Sequence, residues 1–195
     1  MSLIHESQID DILTFWFVDP TGLATKNRKA WFSKDLAFDQ EIRDRFLAVY
    51  EQAAAGQLDH WQETASGVLA LILLLDQFPR NLFRGMPQAF ATDAKAVSLA
   101  QAAIARGLDQ AMPPIQRWFV YLPLMHSEDL EVQHQSVEVF RQFEHDPEVQ
   151  SSYPYALKHL EVIQRFGRFP HRNAILGRKS TPEETEFLKQ PGSSF

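Results

Sequence analysis

The sequence has no cysteine and no hydrophobic run long enough to cross a membrane. Without cysteine, the chain forms no disulfide and offers no thiol nucleophile and no thiolate ligand for zinc. Its most apolar run, GVLALILLL at residues 67–75, is far shorter than the ~20 residues that span a bilayer and is typical of a buried helix. The N-terminal stretch MSLIHESQID lacks the basic start and apolar run of a secretory signal. We therefore expect a cytoplasmic protein with no membrane partner.

Positive charge is also scarce across the chain as a whole. The formal net charge of -6 and the isoelectric point near 5.6 argue against a nucleic-acid partner, which would require a broad basic face. With 195 residues, 45% of them hydrophobic and 12% aromatic, the composition suits one compact domain over residues 1–195 with a single large core.

The apolar residues recur with the period of a helix, and no convincing run alternates as in a β-strand. The pattern predicts an all-α fold, with antiparallel helix hairpins stacked as a compact tetratricopeptide-like array. A repeat consensus of about 34 residues is missing, so this likeness concerns shape alone. The predicted helices cover about residues 7–18, 35–55, 59–78, 93–106, 114–122, 126–146, 153–169 and 180–190.

Helix-breaking and capping residues set the expected limits of these helices. Pro20 and Gly22 break the chain after the first helix. Asp59 is the expected N-cap of the third helix, and Pro79 is expected to end it. Pro123 is expected to interrupt the fifth helix in the same way.

Three polar stretches lie where predicted helices end, which is where helical scaffolds commonly build sites. They are DQFPRNLFRG at 76–85, YLPLMHSEDL at 121–130 and RFGRFPHRN at 165–173. Residues 165–179 hold five cations and no acidic residue, which favours a local anion site or a docking surface. The candidate ligand-binding residues of the three stretches are Asp76, Gln77, Arg80, Asn81, Arg84, Asp129, Arg165, Arg168, Arg172 and Asn173.

Arginine dominates all three stretches, and its planar guanidinium group suits bidentate recognition of a carboxylate or a phosphate. Each stretch also has a structural interpretation. Asp76 and Arg80 have the i,i+4 spacing of an ordinary helix ion pair, and Ser127 is a good helix cap. The basic stretch could pair with the acidic region at 128–148 of the same chain.

Three residues are candidates for catalysis, namely His126, Glu128 and His171, because histidine exchanges protons near neutral pH. His126, Ser127 and Glu128 are the residue types of a hydrolytic triad, but sequence neighbours rarely face one another and the chain has no G-x-S-x-G motif. Metal ligation could draw on the histidines, including His159, but there is no H-x-x-x-H pair and no acidic calcium loop. We therefore expect no metal site and no cofactor.

Several long blocks of the chain resemble the bacterial domain-of-unknown-function family 924. They are ILTFWF, LILLLDQFPRNLFRG followed by AFATD, YLPLMHSEDL, and RFGRFPHRNAILGR with STPEE, in the family's order and over essentially the entire chain. The resemblance implies an all-α domain similar to tetratricopeptide-type arrays and supplies no reaction. Met86 and Leu124 depart from the residues usual in the family. The signature polar positions would be Asp76, Gln77, Arg80, Asn81, Arg84, Asp93, His126, Ser127, Glu128, Asp129, Arg165, Arg168, His171, Arg172 and Asn173.

Two classes of function fit these observations. In the first, a polar, arginine-rich pocket binds a small anionic metabolite that carries a phosphate or a carboxylate, either as an enzyme that converts it or without a reaction. In the second, the helices form a protein or peptide interaction module without catalysis. The first class predicts that the three polar stretches meet in one cleft. It also predicts that Phe166 and Phe169 face the core while Arg168, His171 and Arg172 face that cleft.

Overall fold

Nine α-helices and no β-strand are found in residues 2–19 and 31–194, which the computed structural model describes with side chains from residue 6 onward. The predicted all-α class is confirmed, whereas the tetratricopeptide-like stacking and the single domain stay predictions. Pro20 and Gly22 lie outside the described residues. The helices are α1 (Ser2–Phe17), α2 (Leu36–Ala54), α3 (Ala65–Ile72), α4 (Phe78–Leu82), α5 (Asp93–Ala105), α6 (Pro114–His126), α7 (Leu130–Arg141), α8 (Ser152–Phe166) and α9 (Pro182–Phe187).

The start of α9 follows from its local sequence. The Thr181 hydroxyl accepts a hydrogen bond from the Glu184 N–H at 3.1 Å, and the Glu184 carboxylate accepts one from the Thr181 N–H at 2.7 Å. This is the capping box that the sequence predicts. Gly167 ends α8 with a φ of 66°, a left-handed conformation that glycine adopts without a Cβ clash.

The third predicted helix differs from the structure at both ends. Residues Asp59–Glu63 form a 3-10 turn, and α3 begins after Thr64, whose hydroxyl accepts a hydrogen bond from the Gly67 N–H. The chain then forms a π-helical turn over Leu73–Gln77 and continues directly into α4. Pro79 therefore does not end the helix.

A contact from another segment explains why the helix passes through Pro79. Proline has no N–H and leaves the carbonyl four residues earlier, that of Leu75, without its helical donor. The Thr92 hydroxyl donates a hydrogen bond to this carbonyl at 2.6 Å. Thr92 occupies the N-cap position of α5, but its side chain makes no cap hydrogen bond. It satisfies the carbonyl of Leu75 instead.

The prediction that Pro123 interrupts its helix is also wrong, because α6 continues through Pro123 to His126. The seven residues from Phe119 to Met125 are all buried, and their packing outweighs the hydrogen bond that proline removes. Because the helix continues, His126 is the last residue of α6.

The apolar helix α3 lies at the centre of the fold. It packs against α1, α5 and α6, while α2 packs against α4, and α7 packs between α6 and α8. All residues from Gly67 to Ile72 are buried. A smaller apolar cluster of Val162, Ile163 and Phe169 joins α8 to the turn that follows it. Within the described residues, no helix is both long and apolar enough to span a bilayer.

Candidate functional site

Helix ends from distant parts of the chain surround one cavity of about 340 Å³. The π-turn and α4 provide one wall, the end of α6 provides a second, and the 3-10 turn Pro170–Arg172 closes a third. Seven sequence-predicted candidates from all three polar stretches line this cavity: Gln77, Arg80, Asn81, Arg84, His126, His171 and Arg172. The lining residues that were not predicted as part of a binding site include Lys34, Phe90 and His159.

The wall is cationic. Lys34, Arg80, Arg84 and Arg172 line the cavity, whereas no described aspartate or glutamate does so. The acidic partners of the arginines lie behind them, in a layer formed by Asp39, Asp76 and Asp93. The carboxylates therefore orient the guanidinium groups without occupying the cavity wall.

Asp76, near the end of the π-turn, is fully buried and contacts several residues of the cavity wall. Its carboxylate lies 2.8 and 3.0 Å from Nδ1 of His126, accepts a 2.6 Å hydrogen bond from Gln77 and lies 3.4 Å from the guanidinium group of Arg80. Arg80 also donates to the main-chain carbonyl of Asp76. Burial raises the pKa of Asp76, but Arg80 and His126 outweigh it and hold that pKa well below the usual range.

Asp93, the first residue of α5, lies between two arginines. Its carboxylate oxygens are 3.2 and 3.3 Å from the guanidinium nitrogens of Arg80 and 3.3 Å from Nη1 of Arg172. Burial raises the pKa of Asp93, against the opposing effect of Arg80. The residue thereby holds two like charges side by side at the cavity.

Arg172 is held on every side. Its guanidinium carbon lies 4.7 Å from the ring centroids of both Phe90 and Phe169, and Nη2 donates to the carbonyl of His126 at 2.9 Å. Burial and the charge of Arg80 lower the pKa of Arg172 to about 10, so it stays protonated at neutral pH. Among the described residues, Nε of Arg172 has no hydrogen-bond partner although it is buried.

Asp39 of α2 holds two residues of the cavity wall, Asn81 and Arg84, from behind. This carboxylate accepts hydrogen bonds from Asn81 at 2.7 Å and from Nε and Nη2 of Arg84 at 2.9 and 2.8 Å. Lys34, two residues after Phe32, is exposed and also lines the cavity. The side chain of Phe32 is 56% exposed and lines the cavity.

Three histidines line the inner wall, and all have a lowered pKa. Burial lowers the pKa of His126 despite the opposing effect of Asp76. Burial also lowers the pKa of His159 to about 3 and, together with the charge of Arg172, lowers that of His171 to about 4. All three rings are therefore neutral at pH 7.

His159 has a defined tautomer because Nδ1 lies 2.8 Å from the main-chain oxygen of Tyr155, which only accepts hydrogen bonds. Its Nδ1 therefore carries the proton. His126 has the same tautomer, since the ionised Asp76 carboxylate also only accepts.

The other candidates lie outside the cavity. Glu128 pairs with Arg178 at 2.6 and 2.9 Å and accepts a hydrogen bond from the Phe169 N–H at 2.8 Å. Burial raises the pKa of Glu128, but these hydrogen bonds outweigh it and the net shift is downward. Asp129 is the N-cap of α7, where it accepts from the Val132 N–H. Both acidic residues thus fix the chain around the site.

The basic stretch is divided between the cavity and the C-terminal segment. Arg168 pairs with Glu184 at 2.6 Å, and the exposed Arg165 pairs with Glu183 at 2.9 Å. Asn173 donates to Glu184 at 3.2 Å and is buried. The sequence could not separate Arg168 from Arg172, because the acidic residues that select their directions are on α9 and α5.

The turn RFGRFPHRN agrees in part with its predicted arrangement, in which the phenylalanines face the core and the polar side chains face the cavity. Phe169 is fully buried, whereas Phe166 is only half-buried and packs on Phe187 with centroids 5.1 Å apart. His171 and Arg172 face the cavity. The ring of Phe169 lies under Arg172 and beside His159, so it supports the cavity wall from below.

A family model described as "Bacterial protein of unknown function (DUF924)" matches residues 12–192. The chain belongs to this family. The solved structure of a protein of unknown function from Agrobacterium tumefaciens is similar to this chain, with 42% sequence identity and a TM-score of 0.85, over 94% of this chain and 98% of that chain. No curated protein matches significantly. In the part of this DUF924 chain that the structure describes, no group of three or more histidine, aspartate or glutamate residues is arranged to hold a metal ion.

Proposed function

We propose that the cavity binds a small anionic metabolite through a phosphate or carboxylate group. The observation that carries this proposal is the separation of charge: four cations line the wall, whereas Asp39, Asp76 and Asp93, which pair with the arginines, do not line it. An anion entering the cavity meets guanidinium, ammonium and amide groups, without a carboxylate that repels it.

The acidic layer favours binding because it holds the arginines in place in advance. Ordering a long side chain on binding costs roughly 0.5 to 1.5 kcal/mol. Arg80 and Arg172 are already fixed by Asp93, and Arg84 is fixed by Asp39. The ligand therefore gains charge-assisted hydrogen bonds without this cost.

The rest of the wall indicates the shape of the ligand. Trp31, Phe32, Phe90 and Phe169 contribute aromatic surface to the same cavity. Apolar walls with a few convergent polar groups are typical of small-molecule sites. A ligand with an anionic group and an apolar or aromatic body fits this lining better than a bare inorganic ion.

A thermal-shift experiment tests the proposal with inorganic phosphate, phenyl phosphate, malonate and the neutral control benzyl alcohol. An anion at about 100 times its dissociation constant stabilises the fold by about 2.7 kcal/mol. We expect the largest increase in melting temperature with phenyl phosphate and none with benzyl alcohol.

Two charge-matched variants place the effect in the cavity. Lys34→Gln removes an exposed cation of the cavity wall, and Lys179→Gln removes an exposed cation elsewhere on the chain. Only Lys34→Gln should weaken phenyl phosphate binding, by roughly two- to fivefold, as expected for an exposed ion pair of up to about 1 kcal/mol. Equal effects of the two variants, or no stabilisation by any anion, would contradict the proposal and favour the interaction-module alternative.

A further inference from the structure

Asp76 and His126 form a pair that is unlike the other ion pairs at the cavity. Asp76 is completely buried and ionised, and it holds Nδ1 of His126 at 2.8 Å. The ring of His126 lines the cavity, and its other nitrogen, Nε2, has no partner among the described residues. The carboxylate therefore fixes the ring and its tautomer, and the lone pair of Nε2 is left for a ligand.

We propose that His126 is a general base that accepts a proton from a hydroxyl group or a water molecule in the cavity, with Asp76 as its positioning residue. The oxygen belongs to a hydroxyl group of the bound anion or to a water molecule beside it. The inference rests on the proposed function, since the cationic wall is what brings an anionic substrate to Nε2.

The proton transfer is balanced in atoms and charge. The O–H bond of the hydroxyl group or water molecule breaks, its electron pair stays on the oxygen, and the proton forms a new bond with Nε2. The imidazolium ion that results is next to the Asp76 carboxylate, which offsets its charge, as in hydrolytic triads. The oxygen becomes a stronger nucleophile beside Arg80 and Arg172, whose charges stabilise the negative charge it develops.

The surroundings of His126 favour the neutral base over a permanently charged ring. Two arginines, Arg80 and Arg172, lie close to it, and Arg172 donates to its main-chain carbonyl at 2.9 Å. The neighbouring ring of His159, with centroids 6.5 Å apart, is itself neutral at pH 7. A neutral imidazole with an open Nε2 is the reactive form of a histidine base.

Alkylation by haloacetates tests the open nitrogen directly. The Nε2 lone pair attacks the methylene carbon of bromoacetate, and bromide leaves. The chain has no cysteine, so no thiol competes for the reagent. The exposed residues His134 and His145 serve as internal references in the same sample. Peptide mapping by mass spectrometry then gives the rate at each histidine.

We expect bromoacetate to modify His126 about ten times faster than His134, because the cationic cavity concentrates the anionic reagent. The neutral reagent bromoacetamide should also modify His126, but without this electrostatic advantage. If bromoacetamide reacts and bromoacetate shows no preference, the base is supported and the anion-binding function is contradicted. If neither reagent modifies His126 faster than the reference histidines, the proposed base is overturned.

The role of Asp76 is tested by the tautomer and by substitution. Nitrogen-15 spectra of the wild-type protein should show His126 protonated at Nδ1, and protonation at Nε2 instead would overturn the proposal. Asp76→Asn should slow the alkylation of His126 and leave that of His134 unchanged, because the amide can hold the wrong tautomer. Circular dichroism checks that this variant folds, and the wild-type spectrum decides the question if it does not.

Discussion

Arg172 and Asp93 form an ion pair between Nη1 and Oδ2 at 3.3 Å, across 79 positions of the sequence. The pair joins the turn after α8 to the start of α5, and Arg80 of α4 shares the same carboxylate. One acidic side chain thus connects three parts of the cavity wall, and both stability and the arrangement of the cations depend on it.

Asp93→Asn should lower the free energy of unfolding by about 3 kcal/mol, because it leaves the buried Arg172 and the partly buried Arg80 with one carboxylate fewer. Urea denaturation followed by circular dichroism measures the change. Glu183→Gln is the control, since it removes the carboxylate of an exposed pair with Arg165 and should cost under about 1 kcal/mol. If the two variants lose similar free energies of unfolding, the ion pairs of Asp93 stabilise the fold no more than an exposed pair does.

Thr92→Val should destabilise the fold by about 1 to 3 kcal/mol, because it leaves the buried carbonyl of Leu75 without a donor. A second substitution, Pro79→Ala, restores a main-chain N–H one helical turn beyond that carbonyl. The double variant should therefore recover part of the loss in the same urea measurement. A double variant that is less stable than Thr92→Val alone would argue that Thr92 does not compensate for Pro79.

Glu184 makes stability depend on pH in the acid range. The hydrogen bond from Arg168 is the largest effect and lowers the pKa of Glu184 to about 2, from an ordinary value of 4.5. A lowered folded-state pKa stabilises the protein above the ordinary value, and this contribution is lost as the pH falls from about 4.5 toward 2. Melting temperatures from pH 6 to pH 2 should fall less steeply for Glu184→Gln than for the wild type. Parallel curves would contradict the pairing.

Local features of this fold could be predicted from the sequence, whereas those that depend on contacts between distant segments could not. Thr181 and Glu184 lie three positions apart and form their capping box without help from other elements. Pro79 has the sequence signature of a helix end, but the helix continues because Thr92, 13 residues later, donates to Leu75. No local pattern announces that hydrogen bond.

The candidate site shows the same division. The polar stretches predicted most of the polar cavity residues, because Arg80, His126 and Arg172 lie within or close to the ends of α4, α6 and α8. Lys34 was missed, since a single lysine after two aromatic residues carries little signal. Arg168 was expected at the cavity, but Glu184 directs it away. The sequence does not say which acidic residue each arginine meets.

The most direct measurement of anion binding at this cavity is a phenyl phosphate titration followed through the nitrogen-15 resonances of the histidine rings. His126, His159 and His171 line the cavity, whereas His134 and His145 are exposed elsewhere. We expect saturable shifts of the first three resonances, with one common dissociation constant, and no shift of the other two. Shifts that do not saturate, or that are equal at all five rings, would contradict anion binding at this cavity.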